Sequence, residues 1–232
     1  MALPIFLALG SIGGLAAGIA SRVLVRPAAG VPVVILLPLV LSAIGPGNDS
    51  HDRLGEVESS VQIAATPAEV WQQLNGATDI TPAEVDAAWI YRIGVPRPVA
   101  GVTVTPAVGG VRLSRWEKNV HFRERITDWQ EARYVRWTYE FDAHSFPPGA
   151  LDDHVMIGGR YFDLRSTSYR LEPSGGGTRL TLRTQYRVTT GFNWYSGAIA
   201  DLVLHDFSDA ILTMYRHRAE KSAASAHDME RS

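Results

Sequence analysis

The sequence predicts an α+β domain: a curved antiparallel sheet of seven strands around one long C-terminal helix, preceded by hydrophobic membrane helices. Three observations carry this. Charge is absent from the start of the chain, period-two alternation dominates the middle, and a 3.6-residue apolar stripe closes it. Of 232 residues, 46% are hydrophobic and 20% charged, which excludes a disordered polyelectrolyte. Twenty-two basic against 24 acidic residues leave a net charge of −2, without the basic excess of a nucleic-acid binder. Cysteine is absent, so disulfides, thiolate metal sites and cysteine nucleophiles are excluded.

All but two of the basic residues, and every acidic one, follow Asn48. Leu3 to Ala20 and Ala28 to Gly45 are uncharged runs of 18 residues each, spanning roughly 27 Å as helices, near the lower limit for crossing a bilayer. Residues 1–47 therefore read as a membrane anchor with two spans, over 3–25 and 28–46. One span with a re-entrant piece and a cleaved signal peptide are the alternatives. The second fits poorly, because Met1 to Ile5 holds no basic residue. Gly10, Gly14 and Gly18 share one helix face, a spacing that suits close helix–helix packing. Arg22 and Arg26 lie between the spans, and the positive-inside rule then places the following domain outside the cytoplasm, with a cytoplasmic-facing domain as the alternative.

A linker at 48–54 leads into the domain, read over 55–219. In Glu56 to Ile63, Val57, Val61 and Ile63 face one side while Glu56, Glu58 and Gln62 face the other, a half-buried strand. Thr66-Pro-Ala-Glu and Thr81-Pro-Ala-Glu each carry a threonine cap, proline in the first turn and a glutamate three after the cap, so two short helices follow. The Gly94 to Pro98 connector ends the second. Strands are then expected at 102–105, 111–116, 120–128, 134–141, 161–171 and 179–189, the last two forming a hairpin around Gly175-Gly176-Gly177. In the final strand Leu180, Leu182, Thr184, Tyr186 and Val188 share the inward parity. Asn193 caps a helix with the stripe Ile199, Leu202, Val203, Phe207, Ile211 and Met214, running to about Ala219. Residues 220–232 read as a polar, frayed tail. A lone helix buries its stripe against the sheet, the sheet curls around it, and a cavity between them is expected.

Val61 to Leu74, Val-Gln-Ile-Ala-Ala-Thr-Pro-Ala-Glu-Val-Trp-Gln-Gln-Leu, resembles the opening of the START-like, or SRPBCC, superfamily of helix-grip domains, and Arg216 to Glu220 resembles its closing helix. The group includes polyketide cyclase/dehydrase-like proteins, lipid-transfer domains and pollen-allergen-like proteins. The resemblance covers residues 55–220 and implies the helix-grip fold with a hydrophobic pocket, without fixing a function.

Candidate site residues follow from strand parity. Glu124 shares the side of Val120, Phe122 and Ile126, an acid in an apolar wall where burial raises its pKa. It is a candidate general acid or base, or the partner of an arginine on a neighbouring strand. Asp163 and Arg165 are nearby candidates whose facing is ambiguous. Phe122, Glu124, Trp137, Tyr139, Phe141, Tyr186 and Phe207 are expected to line a ligand cavity. The loop from Asp142 to Gly158 carries His144, Asp152, Asp153 and His154. A metal there is disfavoured by spacing, although His154 stays a catalytic candidate. The same loop bears Phe146, Pro147, Pro148, Leu151, Val155 and Met156, which read as a lid or as side chains packed on the core. Asp201, His205 and Asp209 read as the solvated helix face. No nucleotide loop or nucleophile elbow is present, so no cofactor is expected. The expected function is binding of a lipid, isoprenoid or aromatic molecule. A cyclase/dehydrase-type enzyme, which the resemblance implies, and a protein-interaction module are the alternatives.

Overall fold

The structure, a computed structural model, describes residues 52–150, 157–190 and 193–230. The expected anchor, with Gly10, Gly14 and Gly18, lies outside them, as do Leu151 to Met156. Among the described residues no helix is long and apolar enough to cross a membrane.

Eight strands form one antiparallel sheet: β1 (Arg53–Ile63), β2 (Gly76–Ala77), β3 (Pro98–Thr103), β4 (Val111–Trp116), β5 (His121–Gln130), β6 (Tyr134–Glu140), β7 (Phe162–Ser174) and β8 (Gly177–Val188). Their spatial order is β1-β8-β7-β6-β5-β4-β3-β2. The expected count of seven is corrected to eight. β2 is only two residues long, pairing with Val102 and Gly101, and so short a segment has no alternation to detect. β3 begins at Pro98 instead of 102, which proline tolerates as a first strand residue.

Helix α1 (Pro67–Asn75) starts at the Thr66 capping box, where the Thr66 amide donates to Glu69 at 2.7 Å and the Glu69 amide to Thr66 Oγ at 3.4 Å. The second threonine signal gives only one turn, α2 (Pro82–Val85), followed by a 3-10 turn at Trp89–Ile93 that stops on Gly94 with φ 99°. Long helix α3 (Asn193–Glu230) extends beyond the expected end at Ala219. Residues 220–230 contain no glycine or proline to stop it, and Ala223 still packs on the core.

Local bulges bend the sheet and reset its parity. At Thr127 one extra residue moves the inward set from Phe122, Glu124 and Ile126 to Trp129, whose ring packs 4.8 Å from Trp71. At Arg165 another switches the inward set from Phe162 and Leu164 to Thr167, Tyr169 and Leu171. That bulge resolves the ambiguous facing of β7. Arg165 is exposed and pairs with Asp163 at 3.1 Å, and neither approaches Glu124 as a partner.

The inward faces of β1 and β8 follow their alternation, with Val57, Ile63, Leu180, Leu182 and Tyr186 buried. On the outer face Arg183 meets Glu58 at 2.5 Å and Glu56 at 3.3 Å. In α3, Ile211 and Met214 are buried as expected. Leu202 departs from the expected stripe and is 55% exposed, because Ala200, Leu204 and Ser208 occupy the sheet side of that part of the helix. Arg218 clamps the far end, donating to Glu84 at 2.5 and 3.0 Å and to the Thr78 carbonyl at 2.9 Å. A curled antiparallel sheet closed over a long C-terminal helix is the helix-grip arrangement.

Candidate functional site

The interior between sheet and helix holds a buried ion pair, set among aromatic rings. Glu124 on β5 lies directly opposite Arg112 on β4, and Arg112 Nη1 donates to Glu124 Oε2. Their side chains are 7% and 6% exposed for Arg112 and Glu124 respectively. The arginine expected on a neighbouring strand is therefore Arg112. Its Nη2 donates to the Tyr215 hydroxyl of α3 at 3.4 Å, and its guanidinium carbon stands 4.8 Å from the Trp137 ring centroid. Arg112 Nε has no hydrogen-bond partner among the described residues.

The pair depends on a missing side chain. Gly101 of β3 lies beside the guanidinium, and a Cβ there would come within 2.7 Å of Arg112 Cζ. Close approach of this kind is a structural use of glycine in a strand.

Burial pushes the Glu124 carboxyl above its ordinary value, against the pull of Arg112. Arg112 stays charged, since the carboxylate facing it offsets desolvation and guanidinium groups do not deprotonate in proteins. Burial likewise raises the phenols of Tyr139, Tyr169 and Tyr215. They are neutral hydrogen-bonding groups at physiological pH. Tyr139 Oη lies 2.6 Å from Thr167 Oγ, itself 3.3 Å from Thr184 Oγ. One oxygen of Glu124 is committed to Arg112, and its desolvated carboxyl faces a fixed cation.

Next to the pair, toward one end of the sheet, the aromatic candidates gather. Phe122 lies 5.9 Å from Tyr139 and 5.4 Å from Phe141, centroid to centroid. Trp116 bridges this group to the helix, 6.2 Å from Phe122 and 5.7 Å from Phe207. Phe146 packs onto it, 6.5 Å from Phe122 and 5.2 Å from Phe141. Phe122 is buried, whereas Trp116, Tyr139, Phe141, Phe146 and Phe207 are only half-buried. Trp137, fully inside, is 5.5 Å from Tyr169.

Six of the seven residues expected to line a cavity, Phe122, Glu124, Trp137, Tyr139, Phe141 and Phe207, lie around one packed region, and none of the seven is in the walls of the open cleft described below. Tyr186 does not join them. It sits in a separate cluster with Val57, Val188, Ala200 and Leu204, its ring lying over Gly55 and its hydroxyl donating to Asp201 at 2.5 Å and to the Gly197 carbonyl at 3.1 Å. Asp201 is accordingly a helix-to-sheet tie, while His205 and Asp209 are exposed. Phe146 packs down on the aromatic group, which favours core packing over a solvated lid for that residue. His154 lies outside the described residues. Among the described residues no group of side chains has the makings of a metal site.

Sequence parity missed Arg112, Trp116, Tyr169 and Tyr215. In β4 the apolar Leu113 is 44% exposed while Arg112 and Ser114 are buried. The available signal was Trp116, which shares their parity. Tyr215 was visible as a neighbour of Met214 on the helix stripe.

An open cleft of about 790 Å³ borders Trp116 and Phe146. Both residues line it together with Arg115, Lys118, His121 and His144, among others.

No protein-family model matches the chain, and no curated protein matches it. Solved structures do. Protein CV1439 from Chromobacterium violaceum is 16% identical, with 71% of this chain and 96% of that one covered at a TM-score of 0.43. TTHA0849 from Thermus thermophilus is 18% identical, with 73% and 99% covered at 0.44. Ara h 8.0201 is 14% identical, with 75% and 99% covered at 0.42.

Proposed function

We propose that this chain is a membrane-anchored helix-grip domain that binds a hydrophobic or amphipathic small molecule between its sheet and its long helix. The observation that carries the reading is the aromatic group around Phe122. Five of its rings, those of Trp116, Tyr139, Phe141, Phe146 and Phe207, stay half-buried. Binding pockets combine such apolar walls with a few placed polar groups, and Tyr139 and the Arg112–Glu124 pair supply these. The uncharged runs before Gly45 hold the domain beside lipid, and Arg22 and Arg26 favour a domain outside the cytoplasm.

The reading is tested on the full chain in nanodiscs of one defined lipid, after expression in cells, by native mass spectrometry. A small-molecule adduct other than the nanodisc lipid is expected, and it should be lost on Phe207→Asp with the far-ultraviolet circular dichroism unchanged. Absence of any such adduct, or its persistence in that variant, counts against the proposal.

A further inference from the structure

We infer that the open cleft beside Trp116 and Phe146 binds the anionic head of an amphipathic ligand, a carboxylate or a phosphate, whose tail enters the aromatic group. The inference rests on the binding function proposed above and names the ligand class.

Charge supports it first. Among the described residues Arg115 and Lys118 line the cleft as cations and His121 and His144 as polar ring groups, against one lining carboxylate, Glu117. Glu117 is engaged by Arg97, which donates to its Oε2 from the backbone amide at 3.1 Å and from Nη1 at 3.3 Å and also pairs with Asp86 at 2.6 Å. Arg115 is exposed and has no ion-pair partner among the described residues. Asp142 stands close to His121 and His144 and is held below its ordinary pKa chiefly by the His144 backbone amide. Its Oδ1 accepts that amide at 2.8 Å, so Asp142 sets one negative charge beside the two histidines and leaves Arg115 and Lys118 as the cations that an anionic head would meet.

Architecture supports it second. Lys118 sits on the β4–β5 turn with φ 56° and donates to the carbonyls of Gly94 at 2.8 Å and Ala150 at 3.3 Å. The turn, the connector before β3 and the loop after β6 are thereby tied into one rim. The floor is apolar, made of Val99, Trp116, Val120, Phe146 and Pro147. Trp116 and Phe146 also stack with Phe207 and Phe122 respectively. Arg115 and Lys118 at the rim, over a floor that shares Trp116 and Phe146 with the aromatic group, match an anionic head with an apolar tail. They match neither a neutral hydrophobe nor an inorganic anion.

The test compares laurate, dodecyl phosphate, 1-dodecanol and inorganic phosphate on the full chain in nanodiscs, reading Trp fluorescence and subtracting empty nanodiscs. Laurate or dodecyl phosphate should bind more tightly than dodecanol, and their order identifies the head. Arg115→Gln should weaken the anionic amphiphile about 5-fold, as expected for one charge near the surface, and leave dodecanol unchanged. Raising salt should reduce only the anionic arm. If dodecanol binds as well as laurate and dodecyl phosphate, or Arg115→Gln weakens all three alike, the head-group inference is wrong while the binding function stands. If inorganic phosphate binds as tightly as dodecyl phosphate, the tail has no part and the inference is equally overturned. If no amphiphile binds, both readings fail.

Discussion

Replacing Glu124 by leucine leaves a guanidinium in the middle of the domain with no carboxylate facing it. Arg112 and Glu124 are 7% and 6% exposed, so neither is appreciably solvated. Arg112 cannot shed its charge, and breaking a buried pair from the carboxylate side costs about 3–5 kcal/mol, a large share of a total stability of about 5–15 kcal/mol. Arg112→Met is a different perturbation. Glu124 then loses the attraction that pulls its pKa down, burial alone acts on it, and it neutralises itself by binding a proton. A folded-state pKa above the unfolded value gives stability that is complete below the unfolded value and lost as pH rises. Arg112→Met should therefore lose about 1.4 kcal/mol per pH unit from about pH 4.5 upward until the raised folded pKa is passed. The double variant Arg112→Met/Glu124→Leu should return to within about 1 kcal/mol of the parent, or exceed it. Urea titration of the full chain, followed by near-ultraviolet circular dichroism at several pH values, gives all three quantities. A Glu124→Leu cost under about 1 kcal/mol, or an Arg112→Met stability that does not change with pH, would refute the argument that this is a desolvated, mutually neutralising pair.

Gly101→Ala should destabilise by about 1–3 kcal/mol, since its Cβ would come within 2.7 Å of Arg112 Cζ; in the Arg112→Met background, measured by the same titration, most of that cost should disappear. Glu84 is held at a pKa of about 2 by its hydrogen bonds with Arg218. Its folded pKa lies below the unfolded one, so its contribution is present above about pH 4.5 and fades as pH falls toward 2. Glu84→Gln should cost about 1 kcal/mol at neutral pH, allowing for solvent screening of side chains that are 20% (Arg218) and 28% (Glu84) exposed, and the cost should vanish only below the folded pKa. Tyr186→Phe should cost about 1–2 kcal/mol of thermal stability through the lost bonds to Asp201 and the Gly197 carbonyl, while leaving ligand binding unaltered. Carbonate extraction of expressing cells should leave the full chain in the membrane pellet; release into the supernatant would remove the anchor from the proposed function.

The sequence determined whatever depends on neighbours along the chain. Threonine–proline–glutamate spacing marked both short helix starts, and alternation in β1 and β8 marked which residues face inward. The 3.6-residue stripe located the long helix and its contacts at Ile211 and Met214. Glu124 was legible as an inward acid because three apolar residues share its parity. What the tertiary structure decided was pairing and register. Nothing in Val-Arg-Leu-Ser marks Arg112 as inward, and only the opposition of β4 to β5 sets it against Glu124, with Gly101 leaving the space. Bulges at Thr127 and Arg165 reset which residues face inward, and a one-residue shift has no signature in composition. Tyr186 was correctly inward yet separated from the other aromatics, because parity fixes a face and not a position along the sheet. The cationic cleft joins segments that lie well apart in the chain, at Val99, Arg115 to His121 and Ala143 to Pro148, so only folding brings its charges together with Trp116 and Phe146.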